Sequence, residues 1–175
     1  MPRLDPRPGL RLALGIFKAG ALTHVIIQYG YSVTPISGPS MLPTLDIMGQ
    51  WVLTSSLHRH GRGVGVGDLV TYDIPISADC GLKRVVGMPG DYVVAHLPGT
   101  VPEDRDELLQ VPQGHCWLVG DNLAVSRDSR QYGPIPLALV RGKVLATLFP
   151  FKWMENPLKK VDPNNDPPSS PSFSD

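Results

Sequence analysis

Two cysteines, Cys80 and Cys116, are too few for a disulfide framework in a chain of 175 residues. They can pair in an oxidising compartment or stay reduced, and sequence leaves both states open. Charge of one sign is also missing: 16 Lys and Arg balance 16 Asp and Glu, for a formal net charge of zero. That balance removes the electrostatic case for nucleic acid, whose binding is dominated by phosphate neutralisation. Aromatics at 7% leave little material for base stacking. No internal repeat is visible. What the chain has in excess is proline (19) and glycine (18), which break helices and favour short strands joined by turns.

Residues 1–11 carry Arg3, Arg7 and Arg11 against Asp5 alone, with Pro2, Pro6 and Pro8 opposing an early helix. From Leu12 the character changes to LALGIFKAGALTHVIIQYGYSV, and no Asp, Glu, Lys or Arg falls between Lys18 and Asp46. A bilayer span needs about 20 predominantly apolar residues. Residues 12–32 supply that length, with Lys18, His24 and Gln28 inside it. The first expectation is a membrane-anchoring helix within residues 1–33, its N-terminus inside by the Arg/Lys flank and residues beyond 33 outside. A helix lying in the interface or docked on a partner, and a cleaved presequence, stay open beside it.

The body, residues 34–153, reads as mostly β, an antiparallel barrel-like or sandwich-like domain. Expected strands are Gln50–Thr54, Asp68–Tyr72, Leu82–Gly87, Tyr92–His96, His115–Val119 and Gly142–Leu148. The charged stretch 103–107 reads as an exposed loop. The tail 154–175, rich in Pro, Ser, Asn and Asp, buries too little apolar surface to offset its ordering entropy and is expected to be disordered.

Three motifs carry chemistry. In Ser37-Gly38-Pro39-Ser40-Met41-Leu42-Pro43-Thr44, glycine and two prolines constrain the backbone around Ser40, just beyond the apolar segment. An ordinary turn would explain that segment equally well. In Gly81-Leu82-Lys83-Arg84-Val85-Val86-Gly87-Met88-Pro89-Gly90-Asp91, two cations share a strand, so their side chains point to opposite faces. Enclosing Lys83 would disfavour its ammonium and turn it into a base near neutral pH, a role Arg84 cannot fill. The third motif, Gly120-Asp121-Asn122 followed by Ser126 to Pro134, is a dense polar loop that reads either as a surface loop with Asx turns or as a loop organised around a site.

Taken together, SGPSMLPT, GDLV (residues 67–70), KRVVGMPGD and GDNLAVSRDSRQYG resemble the boxes of the type I signal peptidase family in order and spacing. The resemblance covers roughly residues 36–145. GLKRVVGMPGD, GHCWLVGDN and FPFKW look most like the mitochondrial inner-membrane branch of that family, and within it the first of two catalytic subunits. The resemblance implies a serine endopeptidase with a Ser/Lys dyad, working through an acyl-enzyme without cofactor or metal. Ser40 takes the place of the nucleophile and Lys83 that of the general base. Ser126 matches the serine that hydrogen-bonds the lysine in bacterial relatives. Asp128 and Arg130 match an acid and an arginine implied to form a bracing ion pair, and Asp121 has a similar supporting place. Met41 and Leu82 are expected to flank an extended substrate strand. Implied partners are precursors with cleavable sorting signals, the lipid bilayer and a related second protease subunit. The implied location is the mitochondrial inner membrane, catalytic domain facing the intermembrane space. One departure is Gly38, where bacterial members often carry a serine that helps bind the oxyanion; removing one such donor costs other proteases roughly 10²–10³ in rate.

Other chemistries fit less well. His58, His60, His96 and His115 sit in no recognisable triad motif, and His115 with Cys116 lacks metal-ligand spacing. GRGVGVGD precedes a strand, not a helix, so it is no phosphate loop. A self-cleaving repressor would need a DNA-binding helical module that this sequence lacks. A membrane-anchored scaffold subunit stays open as the non-enzymatic alternative.

Overall fold

The computed structural model describes residues 7–95 and 108–157. In chain order these form α1 (Arg7–Val25), β1 (Tyr31–Ile36), β2 (Gln50–Ser55), β3 (Leu69–Asp73), β4 (Cys80–Gly87), β5 (Tyr92–Val94), β6 (Leu108–Gln110), β7 (His115–Val119), α2 (Ser129–Tyr132), β8 (Ile135–Pro136), β9 (Val140–Leu148) and β10 (Phe151–Trp153). His96, the stretch 103–107 and the tail from residue 158 onward lie outside the described residues.

The mostly β reading holds: one eight-stranded antiparallel sheet runs β1-β2-β9-β3-β4-β7-β8, with β10 added on β9, and β5 pairs β6 separately. Bulges bend it where β9 meets β2 and β3, and where β4 meets β7. Such bulges increase local twist and curl a sheet.

The N-terminal segment differs from the expected 12–32 helix. α1 stops at Val25, a π-turn covers Ile26–Gly30, and Tyr31 already opens a strand. Tyr31, Val33, Thr34 and Ile36 suit an extended half-exposed edge, and each residue pairs across to β2, from Tyr31↔Ser55 to Ile36↔Gln50. No helix among the described residues is long and apolar enough to cross a membrane. From Gly9 to Ile26 the α1 segment is exposed throughout, Leu12, Ile16, Phe17 and Leu22 included.

Two of the three apolar clusters among the described residues bear on the site. Val70, Tyr72, Val85, Leu118, Ile135 and Val140 form one. Met41, Leu45, Val52, Leu69 and Val144 form the other, with Leu82 and Met154 packed against it. The second cluster underlies the turn that carries Ser40. The tail expected to be disordered from residue 154 begins in an ordered way: Met154 donates its backbone N–H to the Leu145 carbonyl at 2.8 Å, and Asn156 is hydrogen-bonded to the body.

Candidate active site

Lys83 and Arg84 part to opposite faces of β4. Lys83, opposite Val70 of β3, is only 6% exposed. Its Nζ donates to Ser40 Oγ at 2.8 Å. Burial pushes the lysine below its ordinary pKa, against the opposing pull of Asp128 and Asp121, whose negative charges favour the ammonium. Desolvation wins. The result is a buried amine poised against a serine hydroxyl, the arrangement of a nucleophile and its base.

Ser40 sits in a short 3-10 turn, Pro39–Met41, anchored at both ends. Ahead of it, Gly38 donates its N–H to the Ile47 carbonyl at 2.8 Å. Gly38 has φ 116° and ψ 153°, a conformation that a Cβ strongly disfavours. A serine at this position would therefore be strained in this chain. Beyond the turn, Asn122 holds two of its carbonyls: its N–H donates to Ser40 O at 3.0 Å and its Nδ2 to Pro39 O at 3.2 Å.

The loop that supplies Asn122 passes close against the Ser40 turn. A Cβ on Gly120 would collide with Ser126 Oγ and lie 2.6 Å from the Ser40 carbonyl oxygen. Gly120 N–H donates to Asp128 Oδ2 at 3.0 Å. Asp128, fully buried, receives Arg130 Nε on Oδ1 and Nη2 on Oδ2, both at 2.8 Å. Burial by itself would raise the Asp128 carboxyl, but Arg130 and the Gly120 N–H hold it below the usual carboxylate range. Arg130 Nη2 also donates to Leu123 O at 2.9 Å, closing the loop on itself.

Ser126 departs from the expectation drawn from bacterial relatives. It is buried beside Asp128, whose charged form it favours, and among the described residues its Oγ forms no hydrogen bond with Lys83. Space for it exists only because residue 120 is glycine, so the hydroxyl is packed beside the Ser40 turn.

On the other face of β4, Arg84 clasps Asp121, Nε to Oδ1 at 2.8 Å and Nη2 to Oδ2 at 2.7 Å. It also donates to Gly67 O at 2.8 Å, and Thr44 Oγ1 donates to Asp121 Oδ2. Asp121 is held below the usual carboxylate range by Arg84 and Thr44, which outweigh its burial. One guanidinium thus links β4, the turn before β3, the segment after Ser40 and the Asp121 loop. The sequence excludes Arg84 as a base but does not by itself reveal this bracing role. Two cations in tandem on one strand, with an acid opening a distant polar loop, were the available signal.

A cleft of about 310 Å³ opens beside the dyad, lined by Thr34, Ile36, Met41, Cys80, Leu82 and Lys83 among others. Met41 is nearly buried, and Leu82 packs on the same cluster. β4 pairs with β7 only from Arg84 onward, so Cys80 to Lys83 have a free edge, and β1 is an edge strand of the sheet. Facing edges beside a cleft are suited to receiving an extended peptide by main-chain pairing.

The remaining residues considered from sequence lie elsewhere. His58 Nδ1 contacts Ser55 Oγ at 3.2 Å and His115 Nδ1 the Gln113 carbonyl at 3.1 Å. Among the described residues, no group of three His, Cys, Asp or Glu is placed to hold a metal ion. Both cysteines are free thiols, Cys80 exposed at the cleft and Cys116 buried in the core.

The family model for signal peptidase, peptidase S26, matches residues 10–100 and 95–149. The "Mitochondrial inner membrane protease subunit 1" of Schizosaccharomyces pombe is 39% identical over 155 residues, covering 87% of this chain and 96% of the relative. The "Mitochondrial inner membrane protease subunit 2" of Danio rerio is 28% identical over 163 residues, covering 90% of this chain and 83% of the relative. A solved signal peptidase I from Enterococcus faecalis V583 overlays at TM-score 0.36 and 22% identity, covering 45% of this chain and 94% of its own.

Proposed function

Because this chain belongs to the signal peptidase family, peptidase S26, and is thereby a serine endopeptidase of the signal peptidase type, we propose that Ser40 is its nucleophile and Lys83 its general base. The 2.8 Å contact between Lys83 Nζ and Ser40 Oγ in a buried setting carries the reading. Neutral Lys83 takes the Ser40 proton as Oγ attacks the scissile carbonyl carbon. The resulting ammonium then protonates the leaving amine as the C–N bond breaks, leaving an acyl-enzyme. Lys83, neutral again, deprotonates a water that attacks the ester, freeing the new carboxyl terminus and restoring Ser40. Asp128–Arg130 and Asp121–Arg84 keep the Gly120–Asn122 loop against the nucleophile, and Ser126 packs beside it. With Gly38 in place of a hydroxyl donor, the oxyanion depends on backbone N–H groups such as that of Ser40.

The substrate lies as an extended strand along the cleft between β1 and the free edge of β4, flanked by Met41 and Leu82. The relatives' names support removal of signal or sorting peptides from precursors at the mitochondrial inner membrane, and a hetero-oligomer with a related second subunit. We place the catalytic domain on the intermembrane-space side, with α1 tethering it to the bilayer through its exposed apolar side chains. α1 falls short of a span, which favours a helix held in the interface or completed by a partner.

The test is cleavage of a radiolabelled precursor by purified Ser40→Ala and Lys83→Ala. Both are expected to be inactive; wild-type processing by either refutes the dyad. Precursors that accumulate in mitochondria carrying Ser40→Ala identify the substrates, and protease protection of intact mitoplasts reads the orientation.

A further inference from the structure

The segment that follows the last strand returns to the body and meets it at a seat that holds one side chain. Asn156 Nδ2 donates to Val66 O at 2.7 Å and to Asp68 Oδ1 at 2.8 Å. The seat exists because residue 67 is glycine: with φ +91° it occupies the left-handed region, and a Cβ there would collide with the Asn156 carboxamide. Asp68 is almost wholly buried and takes Lys143 Nζ and the Gly65 N–H on its other oxygen, at 2.7 and 3.0 Å. Asn156 therefore completes the shell of a buried carboxylate that fixes the Gly65–Asp68 turn.

That turn is wired to both halves of the active site. Gly67 N–H donates to Val85 O at 2.8 Å and Val85 N–H to Asp68 O at 2.9 Å, which registers the turn against β4 two residues from Lys83. Gly67 O receives Arg84 Nη1, and Arg84 holds Asp121, whose neighbour Asn122 holds the Ser40 carbonyl.

We infer that Asn156 is a positioning residue: by seating on Gly67 and Asp68 it sets the Arg84–Asp121 clasp, and through it the approach of the Ser40 turn to Lys83. The inference rests on the dyad reading above. It gives a function to a segment whose composition reads as disordered, and it places a determinant of rate far from the cleft in sequence.

The full-length protein with Asn156→Ala, and separately with Gly67→Ala, is assayed on a peptide substrate across pH, at temperatures well below each variant's own melting midpoint. Misplacing a catalytic group by about 1 Å costs on the order of 10²-fold, so a loosened clasp is expected to lower kcat about tenfold. KM stays within about twofold, because the cleft edges do not touch Asn156. The pH dependence of kcat moves alkaline, as a looser site lets water reach Lys83 and weakens the burial that depresses it. Asn156→Asp, which loses the donor and sets a second carboxylate against Asp68, is expected to be no better than Asn156→Ala. The inference is overturned if Asn156→Ala keeps its kcat, or loses activity only in proportion to its unfolded fraction with an unmoved pH profile. Either result, with Ser40→Ala inactive, leaves the dyad standing; activity in Ser40→Ala removes the dyad instead.

Discussion

Arg84 and Asp121 clasp each other through two hydrogen bonds of 2.8 and 2.7 Å on the face of β4 opposite to Lys83. The strand thus presents Lys83, the proposed base, on one side and the Arg84 brace on the other. Arg84→Lys keeps the charge but loses the planar fork that reaches Asp121 and Gly67 together. Both partners are partly exposed, at 18% and 15%, so the loss falls below that of a fully buried pair, at about 2 kcal/mol. Thermal melting reads that loss, and kcat on a peptide substrate is expected to fall with it.

At Gly120 the supporting loop passes too close to the Ser40 turn for a side chain. Gly120→Ala drives a methyl group into Ser126 Oγ and the Ser40 carbonyl. Overpacking of this kind costs about 1–3 kcal/mol, and here it also shifts Ser40 relative to Lys83. Activity is expected to fall about 10²-fold, more than the melting shift explains. Gly120→Ala together with Ser126→Gly relieves one of the two collisions and recovers part of the loss.

Asp128 titrates below its ordinary value of 3.8 in the folded chain, because Arg130 and the Gly120 N–H outweigh its burial. A carboxylate depressed on folding adds stability that is fully present above the unfolded value and disappears as pH falls through the folded one. Melting midpoints are therefore expected to hold from neutrality down to about pH 4 and to drop steeply below it. Asp128→Asn flattens that acid limb. It also lowers stability at pH 7 by about 3 kcal/mol or more, since Arg130 is left buried without a counter-charge.

The chemistry was more legible than the architecture that holds it. Lys83 and Arg84 could be told apart from sequence because strand alternation separates neighbours and only one cation can become neutral. Strand positions were legible where turn residues bracket short apolar runs, as in the expected Gln50–Thr54, observed as Gln50–Ser55, and in His115–Val119. β1 was hidden because Tyr31 to Ile36 continues an apolar run from a helix, and composition does not mark where the period changes. β8 and β10 are too short for any periodicity. Asn156 sits in a Pro/Asn/Asp-rich tail whose composition argues for disorder, while its seat depends on Gly67, 89 residues earlier. The motif brought Ser126 to the right neighbourhood, beside Gly120 and Asp128, but a shared motif does not fix which hydrogen bond a residue makes.

Desolvation by burial holds Lys83 below the ordinary lysine value of 10.5. A buried amine costs stability fully below its folded pKa, and the cost fades as pH rises towards the unfolded value. Lys83→Met is therefore expected to be inactive yet to melt as high as the parent or higher at neutral pH, with the difference shrinking towards pH 10.5.

The central claim, that Lys83 serves Ser40 as a neutral base, is tested most directly by kcat/KM of the wild-type protein against pH. The profile is expected to rise through one group titrating below 10.5, with no such rise and no cleavage in Lys83→Met. A profile that rises only at or above the ordinary lysine pKa, or cleavage that survives in Lys83→Met, would contradict it.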